Sequence, residues 1–263
     1  MSSQTFVTIV GAGNVAWHLA PALDNAGFGV REVYSRQHAR AEALTERLYQ
    51  AEVCASLDFS SSASTVFVLA VSDDALLPLV RELVLPEEAV LVHVSGSQPL
   101  EVLDYAATEH VGVFYPLQTF SKEKRVDFSA LPIFIESRTE EAEKMLFKMA
   151  QALSREVHKI GSNQRLALHL SAVIASNFTN HMLWMAQQMM QRNGLDDRWL
   201  HPLIAETIQK SLLLGPEAAQ TGPARRGDLE TLDKHYQFLA DQPAFADLYQ
   251  QISQHILNTY QPE

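Results

Sequence analysis

Cysteine is almost absent, Cys54 being the only one in 263 residues. That excludes an internal disulfide, and with no Cys/His spacing of the zinc type and no metalloprotease motif, no metal centre is expected. No apolar run reaches the length needed to span a bilayer. The opening MSSQTF lacks the basic region and apolar stretch of a signal peptide, so a cytoplasmic protein is expected. Positive charge is the scarcer sign, with 20 Lys and Arg against 31 Asp and Glu and a net charge of -11. A nucleic-acid backbone or an anionic membrane would meet a repulsive field, which argues against both as partners. Internal repeats and low-complexity tracts are also missing, and Ser95 in VSGS lacks the surroundings of a nucleophile elbow, which sets a hydrolase triad aside.

What is present begins at Phe6. The run Phe6-Val7-Thr8-Ile9-Val10 is too short for a helix and rich in β-branched residues, and it stops at Gly11-Ala12-Gly13. Residues Asn14 to Ala26 then carry helix formers up to Gly27. The spacing Gly11-x-Gly13-x-x-Ala16 therefore lies where a strand turns into a helix, the setting of a dinucleotide fingerprint. Gly11 allows the tight turn, Gly13 lets the backbone approach a pyrophosphate, and Ala16 lets helix and strand pack closely. The backbone of Ala12, Asn14 and Val15 completes the phosphate-facing helix start. The competing reading is a plain βα turn.

A second strand, Val30 to Tyr34, ends at Ser35-Arg36, where an acidic residue would bind a ribose 2′-OH and favour NAD. Ser35 and Arg36 suit a 2′-phosphate instead and favour NADP. The alternative is that Arg36 merely starts the helix Gln37 to Tyr49 in solvent. Further strands are expected at Val53 to Ala55, Thr65 to Val71, Ala89 to Val94, Gly112 to Tyr115, Pro132 to Glu136 and Glu156 to Ile160. The result is an α/β, doubly wound parallel sheet of about eight strands, with a helix at Glu140 to Leu153. Val71 and Ser72 leave the carboxyl end of a central strand, where ligands bind in such sheets, and Ser72-Asp73-Asp74 should cap the helix that follows.

After Gly161 the character changes, and two domains are expected: 1–161, dinucleotide-binding, and 162–263, all helical. Helices are expected at Gln164 to Arg192, Arg198 to Leu214, Asp228 to Ala240 and Ala244 to Tyr260. The first is apolar all round, which predicts burial and, with so small a bundle to cover it, a homodimer built from the helical domain. At about 100° per residue His169, Ser176 and Asn180 share one line, with Asn177 beside it. These groups either bond another helix or face a substrate. In the loop Thr221 to Asp228 an arginine can clamp a carboxylate or pair with Asp228, which is itself placed to cap the next helix.

The fingerprint, the YSR ending of the second strand, AVSDDAL at Ala70 to Leu76 and the helical C-terminal half resemble the superfamily of pyrroline-5-carboxylate reductase, 6-phosphogluconate dehydrogenase and 3-hydroxyisobutyrate dehydrogenase. More closely, VHVSGS (Val92 to Ser97), YPLQTF (Tyr115 to Phe120), SNF (Ser176 to Phe178) and TGPARRGD (Thr221 to Asp228) resemble a group of Rossmann-like proteins with a C-terminal domain of unknown function. That resemblance implies a nicotinamide cofactor. The hydroxyacid dehydrogenases of the superfamily carry Lys followed four residues later by Asn on the long helix, where this chain offers His169 and Asn177. The expected site is then His169 as proton donor or acceptor, Asn177 orienting the substrate, Arg226 on a carboxylate and Ser95 giving a further hydrogen bond. Two function classes follow: an NADP-dependent oxidoreductase of a small polar, carboxylated metabolite, or an NADP-binding sensor without turnover.

Overall fold

The computed structural model describes residues 5–260. One sheet is built from β1 (Phe6–Val10), β2 (Gly29–Tyr34), β3 (Glu52–Cys54), β4 (Val66–Leu69), β5 (Val90–His93), β6 (Val111–Pro116), β7 (Ile133–Ser137) and β8 (Val157–Lys159). Their spatial order is β3-β2-β1-β4-β5-β6-β7-β8. The chain moves outward from β1 to β3 and then returns to the other side of β1 with β4. That reversal is the switch point at which open α/β sheets bind ligands.

Helices α1 (Asn14–Asn25), α2 (His38–Thr45), α3 (Asp73–Glu82) and α4 (Glu140–Leu153) connect the strands. Along β4 the side chains alternate between two cores: Val66 and Val68 join the one containing Leu19 and Val33, whereas Phe67 and Leu69 join the one containing Leu76 and Leu103. Both faces of the sheet are thus covered, which is why β4 reads as a continuous apolar run. One pairing departs from the expected parallel sheet: β7 runs antiparallel to β6, and β8 then runs parallel to β7. The connection from β6 to β7 holds no helix, so it makes no crossover and the chain returns antiparallel.

The chain divides into two compact units, Met1–Asn177 and Phe178–Glu263. The first also contains α5 (Ser162–Ala172). The second contains α6 (Thr179–Arg192), α7 (His201–Leu214), the short α8 (Pro216–Ala219) and α9 (Pro223–Arg226), α10 (Leu229–Phe238) and α11 (Pro243–Tyr260). Asp228 caps α10 by accepting from the Thr231 amide at 3.1 Å and the Thr231 hydroxyl at 2.7 Å, the capping role open to it from its position. Among the described residues no helix is long and apolar enough to cross a membrane, and no three His, Cys, Asp or Glu are grouped to hold a metal ion.

Within a single chain the long helix stays open, and its expected even step needs correction. Its apolar residues are not enclosed: Leu170, Ile174 and Phe178 are 54–57% exposed, and α6 has no buried residue. The helix is shared between the units, Leu170 and Ile174 falling in the first and Phe178 in the second, and of the second unit's described residues only Ala224, Leu239 and Ala246 are buried apolar ones. Nor does an even 100° step run through the helix, because Val173–Phe178 forms a π-helical turn. Its wider i→i+5 bonding takes Ser176 and Asn180 off the line projected from His169.

Candidate functional site

The turn after β1 brings the fingerprint to the switch point. Gly11 has φ +116°, and a Cβ there would lie 2.2 Å from the Ala70 carbonyl oxygen. The turn therefore demands glycine on conformational and steric grounds alike. Gly13 differs, since a Cβ would meet only Ala70 O at 3.9 Å. The protein's own packing leaves this position free, so its smallness matters toward whatever lies against the turn.

A cavity of about 540 Å³ opens there, lined by Gly11, Ala12, Gly13, Ser35, Arg36, Arg40, Val71, Ser72 and Asp74 among others. Seven of the nine residues expected to hold a cofactor are in that lining. Asn14 and Val15 are not; the Asn14 side chain instead donates from Nδ2 to the Phe120 carbonyl at 3.0 Å. His18, one turn further on α1, donates from Nε2 to the Ser121 carbonyl at 2.8 Å. These two bonds tie the loop after β6 to the first turns of α1. What Asn14 and Val15 offer an anion is their helix-start N–H groups.

Arg36, just before α2, and Arg40, in its first turn, are exposed and take part in no ion pair among the described residues. Asp74 lies across the cavity, its carboxyl held below the usual range by the Ser72 hydroxyl first and by the Arg36 charge last. Arg40 escaped the sequence reading. It lies in the first turn of α2, four residues after Arg36, and the path of the connection from β2 to α2 brings it to the cavity.

A second cluster forms beyond the ends of β5 and β6. His93, the last residue of β5, is fully buried and accepts from the Ser95 amide at Nδ1, 3.1 Å. Burial, reinforced by the Arg165 charge, pushes its pKa down to about 3. Ser95 Oγ accepts from the amides of Ser97 and Gln98 at 3.2 and 3.0 Å. The serine thus shapes its own turn, and its hydroxyl lies 3.5 Å from that of Ser97. Ser97 in turn hydrogen-bonds Asp73, linking the strand ends of β4 and β5.

His169 of α5 comes to this cluster, its Nδ1 3.1 Å from the Tyr115 hydroxyl. Arg165, one turn earlier and 1% exposed, anchors α5 through an ion pair with Glu136 and a bond to the Gln98 carbonyl at 2.6 Å. Ser162 adds hydrogen bonds of 3.0 and 2.9 Å to the same carboxylate. Ser95 and His169 are therefore brought to one place, whereas Asn177 lies exposed on the π-helical turn eight residues past His169. Arg226 belongs to the second unit, at the exposed end of α9. Its neighbour Arg225 is engaged, lying 4.4 Å over the Tyr260 ring and donating to the Tyr260 carbonyl. Tyr115 and Arg165 were not expected at the site; burial of an Arg cannot be read without knowing that Glu136 faces it.

The glycine turn, the switch-point cavity and the arginines at the end of β2 define a dinucleotide-binding protein of the Rossmann type with a helical C-terminal part. Residues 2–116 match a Rossmann-like domain, and residues 131–256 match a domain of unknown function, DUF2520. A Bacteroides fragilis protein provisionally named an NADP oxidoreductase is 39% identical over 97% of this chain and 98% of its own, with a TM-score of 0.90. The chain belongs to this family of Rossmann-like proteins with a DUF2520 domain, as its motifs implied. A Thermotoga maritima protein shares the fold at 23% identity, over 95% of this chain and 96% of its own, with a TM-score of 0.70. So does a reductive aminase from Aspergillus terreus in complex with NADPH and ethyl levulinate, at 16% identity over 96% and 95%, TM-score 0.68. No curated protein sequence matches the chain.

Proposed function

We propose that this protein is an NADP-dependent oxidoreductase that acts on a carbonyl or imine group of a small polar, carboxylated metabolite. The observation that carries the reading is the pair Arg36 and Arg40 in the lining of a cavity entered through Gly11 and Gly13. The end of β2 offers Ser35 and Arg36 where a ribose-binding carboxylate would favour NAD. The residues fit the cofactor: Gly13 leaves room beside the turn, and two arginines that form no ion pair among the described residues suit a phosphate. The name of the Bacteroides fragilis relative supports the same cofactor.

When bound, a reduced nicotinamide supplies a hydride. This chain's residues then divide the remaining tasks. Arg36, Arg40 and Ser35 select the phosphorylated ribose, and the first-turn N–H groups of α1, from Asn14 and Val15, hold the pyrophosphate. His169 gives a proton to, or takes one from, the substrate's oxygen or nitrogen, as an imidazole can do near neutral pH. Ser95 gives the substrate a further hydrogen bond, its hydroxyl turning from Ser97 to do so. By residue chemistry we assign Arg226 to the carboxylate and Asn177 to substrate orientation, with residues 1–161 serving the cofactor and 162–263 serving substrate binding and dimerisation. The homodimer is supported by the apolar surface of the second unit, where Trp199, Leu212 and Leu213 are 67–83% exposed.

The test is a screen of small keto and imino acids for NADPH oxidation, followed by His169→Ala and Arg226→Ala on any hit. Turnover lost in the folded variants is expected. Tight NADPH binding with no turnover across the screen would favour the sensor, and turnover unchanged by both substitutions would remove them from the mechanism.

A further inference from the structure

We infer that Tyr115 is a positioning residue for His169, fixing the neutral imidazole with its proton on Nε2 so that the ring offers a hydrogen-bond donor at the site. The inference rests on the reading of His169 as the proton-handling group.

The placement follows from strand lengths. His93, at the end of β5, pairs with Val113 of β6, and β6 continues for three more residues. Tyr115 lies two residues past Val113, on the same face, and joins the same core. It therefore stands beyond the end of β5, beside the turn at Ser95 and Gly96. Only 9% of the residue is exposed. The His169 ring meets it edge-on, with centroids 6.0 Å apart and planes at 70°.

Gly96 completes the seat. A Cβ there would lie 2.6 Å from His169 Nδ1, 2.8 Å from its Cγ and 2.8 Å from Tyr115 Cζ. Any larger residue would push both rings aside. The Nδ1 edge of the imidazole is thus enclosed between a backbone turn and a phenol, and Nε2 forms no hydrogen bond among the described residues.

Proton counting then fixes the tautomer. The hydroxyl of so buried a residue needs an acceptor for its hydrogen, and His169 Nδ1 is the only hydrogen-bond partner of the Tyr115 hydroxyl among the described residues. Burial raises the Tyr115 pKa, against a smaller opposing effect of the Arg165 charge, so the phenol keeps its hydrogen. Were Nδ1 to carry the imidazole's proton, two donors would face each other's hydrogens or the phenol's would go unpaired. With Tyr115 donating to Nδ1, the neutral ring carries its proton on Nε2. If the ring gains a second proton, the hydroxyl turns and accepts from Nδ1–H, and Nε2 still carries a hydrogen. A hydroxyl can donate to the neutral ring and accept from the charged one, whereas a carboxylate in its place could only accept and would hold the proton on Nδ1 in both states.

Long-range nitrogen–proton NMR on the full-length protein with labelled histidine reads the tautomer directly. His169 is assigned by its loss in His169→Gln, at about pH 8, where ordinary histidines are neutral. The expected spectrum shows Nε2 protonated and Nδ1 as acceptor, with a bias of roughly tenfold, the ratio that one ordinary hydrogen bond supports. In Tyr115→Phe, which keeps the ring, the bias should fall to within about threefold. A proton on Nδ1 in the intact protein would overturn the inference, as would a ratio unchanged by Tyr115→Phe. Neither spectrum depends on turnover, so the result stands apart from the substrate screen.

Discussion

His93 allows a test of the buried cluster that needs no ligand. Its pKa is pushed down to about 3 in the folded chain, whereas an unfolded histidine titrates at about 6.5. Between those values the unfolded state binds a proton that the native state refuses, so stability is complete above about pH 6.5 and is lost as the pH falls toward about 3. Each pKa unit corresponds to about 1.4 kcal/mol, so lowering the pH from about 7 to about 4.5 removes roughly 2–3 kcal/mol through this residue alone. Many carboxylates titrate in the same range, so the informative quantity is a difference. His93→Gln retains an acceptor for the Ser95 amide but does not ionise. At about pH 7 it should be less stable than the unsubstituted protein by roughly 1–2 kcal/mol, an ordinary core substitution. At about pH 4.5 the deficit should vanish or reverse, because only the unsubstituted chain loses stability through this residue. Trp17 is the only tryptophan before residue 178, so urea unfolding followed by its fluorescence, with Trp184→Phe and Trp199→Phe in the background, reports the first unit. A stability gap that stays constant between the two pH values would refute the argument.

The two glycines of the turn should separate. Gly11→Ala places a Cβ on the Ala70 carbonyl at positive φ and should cost at least roughly 1–3 kcal/mol in chemical unfolding from the backbone strain alone. Gly13→Ala, which meets no close atom, should leave stability within about 1 kcal/mol and weaken NADPH binding by about tenfold or more, as titration calorimetry would show. Arg165→Ala strands the Glu136 carboxylate and should destabilise by roughly 3–5 kcal/mol, while Arg165→Met combined with Glu136→Gln should recover much of that loss; equal losses would deny that the buried charge matters.

The parts legible in the sequence were those set by local pattern. Val66-Phe67-Val68-Leu69 announces a doubly covered strand because no polar residue interrupts it, and the Gly11-x-Gly13 spacing announces the turn, where Gly11 admits no other residue. The antiparallel β7 was hidden, since strand direction depends on how the loop from Leu117 to Pro132 crosses the sheet and not on the composition of Ile133–Ser137. The stripe from His169 to Asn180 failed for a related reason. A helical projection assumes an unbroken helix, and nothing in Val173-Ile174-Ala175-Ser176-Asn177-Phe178 marks a π-helical turn. Tyr115, Gly96 and His169 are separated by up to 73 residues along the chain, counted from Gly96 to His169, and only the extra length of β6 beyond β5 brings them together. Asn14 shows the opposite limit, a residue placed correctly beside the turn whose side chain serves a distant loop.

The central claim is that the arginines at the end of β2 read a 2′-phosphate. Calorimetric titration of the intact protein and of Arg36→Ala with NADPH and NADH tests it most directly. A charge-assisted hydrogen bond contributes about 1.5–3 kcal/mol, so Arg36→Ala should weaken NADPH by roughly 10–100-fold and leave NADH nearly unchanged. Equal affinity of the intact protein for both cofactors, or a substitution that weakens both alike, would contradict it.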